Sequence, residues 1–176
     1  MTTTTATVLK RMMAKAPGAS LAVAESLTAG RLQALIASVS GASAYFAGGV
    51  TVYSLEAKIR LLKANRKRVM ADNGVSAAVA EQMAVGACRL FGAGYGIATT
   101  GYAEAAPKAG VMAPFAWWAV CDATGAQPVA WSGCCEMEGF DRQGVQEGIA
   151  QMALHALVEY LSRRVGPQKR RAAARR

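Results

Sequence analysis

The stretch LAVAESLTAG at residues 21–30 decides the fold of this chain. Its first four residues, 21–24, are apolar and have the length of a short buried strand. Small and polar residues follow at once, and Thr28 is placed to cap a helix over about residues 29–39. A strand that passes directly into a helix is the unit from which α/β domains are built.

A second stretch, GGVTVYSLEAK at residues 48–58, has the same form. Its β-branched residues predict a strand over residues 49–53, and the pattern beyond it predicts a helix over 55–62. The remaining predicted helices cover residues 7–16, 63–72, 76–90 and 141–161, and the remaining strands cover 95–100, 115–121 and 128–135. The last two strands form a hairpin. This order predicts a three-layer α/β/α sandwich with a mixed sheet of about five strands.

Composition fits one domain with a substantial core, since 53% of the 176 residues are apolar and 18% are charged. The net charge is +9, but seven basic residues lie within residues 163–176, so the rest of the chain is near +2 (9 − 7). We therefore expect a domain over residues 1–162 and a basic, disordered tail over 163–176. Binding of nucleic acid through this tail remains a weaker alternative, because no nucleic-acid-binding motif accompanies it.

Cysteine spacing and the hydropathy pattern indicate whether the protein binds a metal and in which compartment it lies. The cysteines show no metal-ligand spacing and the chain has one histidine, so we expect no metal. Reduced cysteines and the lack of an apolar signal core in residues 1–7 favour a cytoplasmic protein. The uncharged stretch 33–55 is long enough to span a bilayer. Serines and glycines interrupt it, so we predict a helix end, a turn and a strand there, and no membrane partner.

Polar residues stand at three predicted strand ends. Ser26, Tyr53 and Thr100 each follow or close an apolar strand. Ligands of α/β domains collect at the carboxyl ends of strands, so one pocket could join these side chains. The helix N-terminus after Ser26 also offers N–H groups to a phosphate or an oxyanion, although ordinary helix capping is the alternative.

Lys58 is the candidate base of this site. A serine hydroxyl is a weak nucleophile that needs a base, and a lysine can serve when burial lowers its pKa. Tyr53 could relay a proton or orient the lysine. The alternative is a strand-end tyrosine that packs on a surface lysine.

These motifs resemble those of the CinA C-terminal domain family over about residues 5–161. Residues 24–30 match the family pattern AESCTGG at five of seven positions, and residues 53–58 match YSNEAK except at Leu55. Residues 41–46 match GSSxxF at Gly41, Ser43 and Phe46. The resemblance implies a catalytic Ser26, Tyr53 and Lys58, with Ser43 as a second serine that acts as nucleophile or ligand. The substrate-binding residues that it implies are Glu25, Thr28, Gly30, Thr100, Gly101 and Arg142.

Active members of that family are nicotinamide mononucleotide deamidases. The resemblance therefore implies an amidohydrolase of pyridine nucleotide salvage that releases nicotinate mononucleotide and ammonia, without metal or other cofactor, from a nucleotide substrate. It also implies a homodimer.

One loop departs from the family pattern. The family has TGIAGP followed by glycines, whereas residues 100–107 read TGYAEAAP. Glu104 replaces a glycine and adds negative charge where a backbone loop would approach a phosphate. The alternative is therefore a divergent protein without deamidase activity that acts as a nucleotide-binding or interaction module.

Overall fold

A mixed sheet with helices on both faces forms the protein in the computed structural model, which describes residues 4–165. The helices are α1 (Thr5–Met13), α2 (Arg31–Ala37), α3 (Leu55–Leu62), α4 (Arg66–Ala71), α5 (Ala77–Phe91) and α6 (Arg142–Val165). The strands are β1 (Leu21–Glu25), β2 (Phe46–Thr51), β3 (Tyr95–Tyr102), β4 (Phe115–Asp122) and β5 (Val129–Glu136). Short 3₁₀ turns cover Ala42–Ala44 and Pro107–Ala109.

The five strands lie in the order β2-β1-β3-β4-β5. The first three are parallel, and their register pairs Glu25 of β1 with Thr51 of β2 and Thr99 of β3. Strands β4 and β5 are antiparallel and form the predicted hairpin. The predicted mixed sheet is confirmed.

Two hydrophobic clusters make the three layers. Helices α1, α2 and α6 pack on one face, where Leu9, Ile36 and Leu157 are fully buried. Helices α3, α4 and α5 pack on the other face around Leu62 and Met83. The predicted α/β/α sandwich is therefore also confirmed.

The two crossover connections leave β1 and β2 toward opposite faces of the sheet. The first runs from β1 through α2 to β2, and the second runs from β2 through α3, α4 and α5 to β3. Because β2 and β3 lie on either side of β1, the chain reverses its direction of winding there. Such a switch point opens a crevice at the carboxyl ends of the strands.

The sequence pattern predicted the ends of helix α3 correctly but not the ends of strands β2 and β3. Helix α3 begins and ends as predicted, and its start is capped by the Ser54 hydroxyl, which accepts from the N–H of Ala57 at 3.1 Å. Strand β2 ends at Thr51, so Tyr53 lies in the connection to α3 and not in the strand. Strand β3 continues to Tyr102, so Thr100 lies inside a strand and not at its end.

The C-terminal boundary also differs from the prediction. Helix α6 continues to Val165, so Arg163 and Arg164, which were predicted to lie in a disordered tail, are helical. They form ion pairs with Glu159 and Asp122, respectively. The rest of the predicted tail, residues 166–176, lies outside the described residues.

No helix within residues 4–165 combines the length and the apolar composition needed to cross a bilayer. The uncharged stretch 33–55 folds as the end of α2, a 3₁₀ turn, β2 and the start of α3, as predicted.

Candidate active site

A cleft of about 510 Å³ opens at the crevice between the carboxyl ends of β1 and β3. Four connections and the start of α6 contribute to its walls. The lining residues are Ser26, Leu27, Tyr53, Ser54, Leu55, Lys58, Asn73, Val75, Arg142 and residues 101–106.

Ser26 and Lys58 form a buried pair at the bottom of this cleft. The Nζ of Lys58 donates to the Oγ of Ser26 at 2.9 Å. Lys58 is only 2% exposed and Ser26 is only 7% exposed. Among the described residues, no carboxylate lies within ion-pair distance of Lys58. Burial therefore lowers the pKa of Lys58 from its ordinary value of 10.5 to about 8.

The position of Lys58 follows from the start of α3 and from a neighbouring turn. Ser54 caps the helix, which fixes the direction of the side chain four residues later. Gly74 lies beside the Lys58 methylenes, and a Cβ at Gly74 would lie 3.5 Å from them and 2.6 Å from Leu55. Its φ of +70° also favours glycine.

Tyr53 and Arg142 lie at the rim of the cleft. Tyr53 is 58% exposed, and its hydroxyl accepts from the Nη2 of Arg142 at 2.8 Å. The Nη1 of Arg142 donates to the Oε1 of Glu104, also at 2.8 Å. Tyr53 therefore shares the cleft with Ser26 and Lys58 but hydrogen-bonds to neither of them in this state.

Glu25 does not line the cleft, which corrects its expected role as a substrate contact. Its side chain is fully buried beneath the start of α2. Its Oε2 accepts from the backbone N–H groups of Gly30 at 2.9 Å and Leu32 at 3.1 Å. Its Oε1 accepts from the N–H of Gln33 at 2.9 Å. The N-terminus of α2, which the sequence offered to a phosphate or oxyanion, is thus occupied by the protein's own carboxylate.

Thr28 and Gly30 belong to this internal cap and not to the cleft. Thr28 is fully buried. Its hydroxyl donates to Glu25 at 2.6 Å and is hydrogen-bonded to the hydroxyl of Thr99 at 2.7 Å. It does not cap the helix, which begins at Arg31 with Gly30 at the N-cap in a left-handed conformation (φ 99°). The expected substrate contacts of Thr28 and Gly30 are corrected accordingly.

Thr100 supports the cleft from behind, whereas Gly101 lines it. The buried hydroxyl of Thr100 donates to the carbonyl of Gly74 at 2.6 Å, and so holds the turn that carries Asn73. A Cβ at Gly101 would collide with the backbone of β4, so glycine permits the close pairing at this end of the sheet. The expected direct contact of Thr100 with substrate is thus corrected to a supporting one.

Ser43 is not part of this cleft. It lies exposed in the 3₁₀ turn Ala42–Ala44, just before β2 begins. Strand β2 runs parallel to β1, so Ser43 lies at the amino edge of the sheet and Ser26 at the carboxyl edge. Within one chain, Ser26 is the serine that meets Lys58.

The cleft contains two polar residues that the motifs did not indicate. The Nδ2 of Asn73 donates to the hydroxyl of Tyr102 at 2.7 Å, and both side chains line the wall. The sequence pattern predicted only that a helix over residues 63–72 ends before this turn. Both residues have positive φ, which is the signal that this turn has a defined shape next to the cleft.

Within the described part of the chain, no group of three or more His, Cys, Asp or Glu residues could hold a metal ion. The four cysteines are free.

Fold and site together define an α/β domain with a serine–lysine pair in a cleft at the sheet's switch point. A sequence profile of the CinA C-terminal domain matches residues 2–161. The chain therefore belongs to the CinA C-terminal domain family.

Individual relatives agree with this assignment. A CinA-like protein of Citrifermentans bemidjiense is 32% identical over 155 residues, which is 86% of this chain and 35% of that protein. A CinA-like protein of Trichodesmium erythraeum is 46% identical over 86 residues, 49% of this chain and 20% of that protein. The chain thus spans about a third or less of the length of these curated relatives. The crystal structure of a CinA superfamily protein from Klebsiella pneumoniae superposes with a TM-score of 0.80 at 29% identity, covering 90% of this chain and 96% of that one.

Proposed function

We propose that the protein is a serine amidohydrolase that converts nicotinamide mononucleotide to nicotinate mononucleotide and ammonia. The observation that supports this most strongly is the hydrogen bond of 2.9 Å between Ser26 and a lysine that is 2% exposed. A buried lysine with a pKa of about 8 is partly neutral near pH 7, which a base requires.

The proposed reaction begins with the neutral amine of Lys58. It accepts the proton of the Ser26 hydroxyl while Oγ forms a bond to the carboxamide carbon of the substrate. The carbon–nitrogen bond then breaks, and the ammonium of Lys58 returns the proton to the departing ammonia. Water then attacks the resulting ester while Lys58 takes a proton from it. The ester bond breaks, Lys58 returns this proton to the Oγ of Ser26, and the acid leaves as a carboxylate after it loses its own proton to solvent.

The upper part of the cleft provides contacts for the rest of the substrate. The Asn73 amide and the Arg142 guanidinium are donors to polar groups of a ribose or an oxyanion. The phenol rings of Tyr53 and Tyr102 lie on the same walls. An aromatic amide such as nicotinamide suits a cleft with this lining.

A homodimer in the cytoplasm is part of this proposal. The outer strand of the sheet, β5, has one edge unpaired within the described chain, and its residue Val129 is 63% exposed. An unpaired strand edge offers backbone N–H and C=O groups that can pair with a second copy of the chain. Size-exclusion chromatography with light scattering would give twice the monomer mass if the proposal is right, and the monomer mass if it is not.

The decisive assay measures ammonia and nicotinate mononucleotide released from nicotinamide mononucleotide. We expect turnover by the unmodified protein, loss of at least about a thousandfold in Ser26→Ala, and near-normal turnover in the matched control Ser43→Ala. Equal losses in the two serine variants would contradict the assignment of the nucleophile.

Lack of turnover in the unmodified protein would contradict the proposed activity. A thermal-shift screen of nucleotides would then test the alternative of a nucleotide-binding module.

A further inference from the structure

The cationic group at the rim of the cleft is already paired with an anion of the chain itself. Arg142 and Glu104 are 44% and 65% exposed and form an ion pair of 2.8 Å. The other terminal nitrogen of Arg142, Nη2, donates to the Tyr53 hydroxyl. Among the described residues that line the cleft, the only other charged side chain is that of Lys58, which lies at the bottom against Ser26.

A second expected receptor for anions is also filled. The first N–H groups of α2 donate to Glu25, so they are not available to a phosphate. Among the described residues, Arg142 is therefore the one cationic group placed to bind an anionic part of a substrate in the upper cleft. Such an anion can bind there only by taking the place of Glu104 or by binding beside it against like-charge repulsion.

We propose that Glu104 determines specificity by competing with the phosphate of a substrate for Arg142. The cleft consequently accepts an uncharged amide nucleoside about as well as the corresponding 5′-phosphate. This inference rests on the proposed function, because it specifies the substrate class of the same site. Glu104 acts on the substrate's phosphate end, while the reaction at Ser26 is unaffected.

The exposure of the pair makes this competition reversible. Both side chains reach solvent, so Glu104 can turn away from Arg142 without any change in the core. Exposed ion pairs hold their partners only weakly. Phosphate is therefore disfavoured in this cleft but not excluded, and removal of the carboxylate charge should reveal an anion site.

Binding of a phosphate-bearing probe tests the inference without any turnover. Titration calorimetry at one ionic strength would compare ribose 5-phosphate binding to the unmodified protein and to Glu104→Gln. We expect binding that is roughly tenfold tighter in the variant. This gain should disappear in the double variant Glu104→Gln with Arg142→Gln. Glu159→Gln, which removes the carboxylate of another exposed ion pair far from the cleft, should bind like the unmodified protein.

Kinetics then extend the test to the reaction. The ratio of kcat/KM for nicotinamide mononucleotide to that for nicotinamide riboside should be near one, and Glu104→Gln should raise it roughly tenfold. Equal phosphate binding by the unmodified protein and Glu104→Gln would overturn the inference, even if the deamidase assay succeeds. If that assay fails while the binding difference is found, the proposed substrate is wrong and the role of Glu104 stands.

Discussion

Replacement of Lys58 by methionine should remove activity and at the same time stabilise the fold. Methionine is close to lysine in length and can fill the space between α3 and Gly74. It cannot accept the proton of Ser26, so the proposed reaction loses its base. It also carries no charge, and the buried ammonium of Lys58 faces no carboxylate within residues 4–165.

The size of the stabilisation follows from the pKa of Lys58. Its lowering from 10.5 to about 8 corresponds to about 3 kcal/mol of unfavourable free energy for the charged form in the folded state. Loss of the hydrogen bond to Ser26 offsets about 1 kcal/mol of this. The net gain of about 2 kcal/mol should raise the Tm by about 4–8 °C for a domain of this size.

The stability difference should depend on pH in a defined direction. The folded-state pKa of Lys58 is below the unfolded value, so between about 8 and 10.5 the unfolded chain binds more protons than the folded one. The stability of the unmodified protein therefore rises with pH across this window. The advantage of Lys58→Met should be full below pH 8 and absent by about pH 10.5, where only the loss of the hydrogen bond to Ser26 remains.

Chemical denaturation of both proteins from pH 6 to 10 would measure this effect, with the exposed Lys67→Met as control. The kcat/KM of the unmodified protein should rise about tenfold per pH unit below 8 and level off above it. A Lys58→Met protein that is less stable than the unmodified protein at pH 7, or one that retains turnover, would refute the reasoning.

Three further substitutions test the residues around the Ser26–Lys58 pair. Glu25→Gln should destabilise the protein by about 2–3 kcal/mol in denaturant titrations, because it removes the buried charge that accepts from three backbone N–H groups at the start of α2. An unchanged midpoint would contradict this role. Tyr53→Phe should lower kcat/KM by less than roughly tenfold, because only the hydrogen bond from Arg142 is lost; a thousandfold loss would instead indicate direct catalysis. Gly74→Ala should lower the free energy of unfolding by about 1–2 kcal/mol and reduce kcat, since its Cβ would meet Leu55 and shift the wall beside the lysine; normal melting and turnover would contradict the close fit.

Sequence reasoning succeeded where a signal is local. The helical patterns predicted starts at residues 55 and 76, and α3 and α5 begin at Leu55 and Ala77, where Ser54 and Ser76 each accept from an N–H three residues later. The strands of the hairpin were recognisable from their apolar residues and the turn between them. Ser26 was placed at a predicted strand end, and the family resemblance added Lys58 to the same site; the structure brings the two side chains together.

Reasoning failed where a side chain had a choice of partner. Glu25 could face the cleft or turn back to the helix that follows, and only the packed structure determines that it turns back. Thr28 was expected to cap that helix, but its hydroxyl is drawn to Thr99, which lies 71 residues away in sequence. The pairing of Glu104 with Arg142, separated by 38 residues, has no local signature in the sequence.

The solvent exposure of the Glu104–Arg142 pair has a consequence for how this protein can change. Ser26 and Lys58, the proposed nucleophile and base, are embedded in the core, where a substitution changes the packing of the domain. The rim pair contributes little to folding, so its members can be exchanged by single mutations at almost no cost to stability. Under the proposed function, the preference for one substrate over another can therefore change, or be engineered, while Ser26 and Lys58 stay in place.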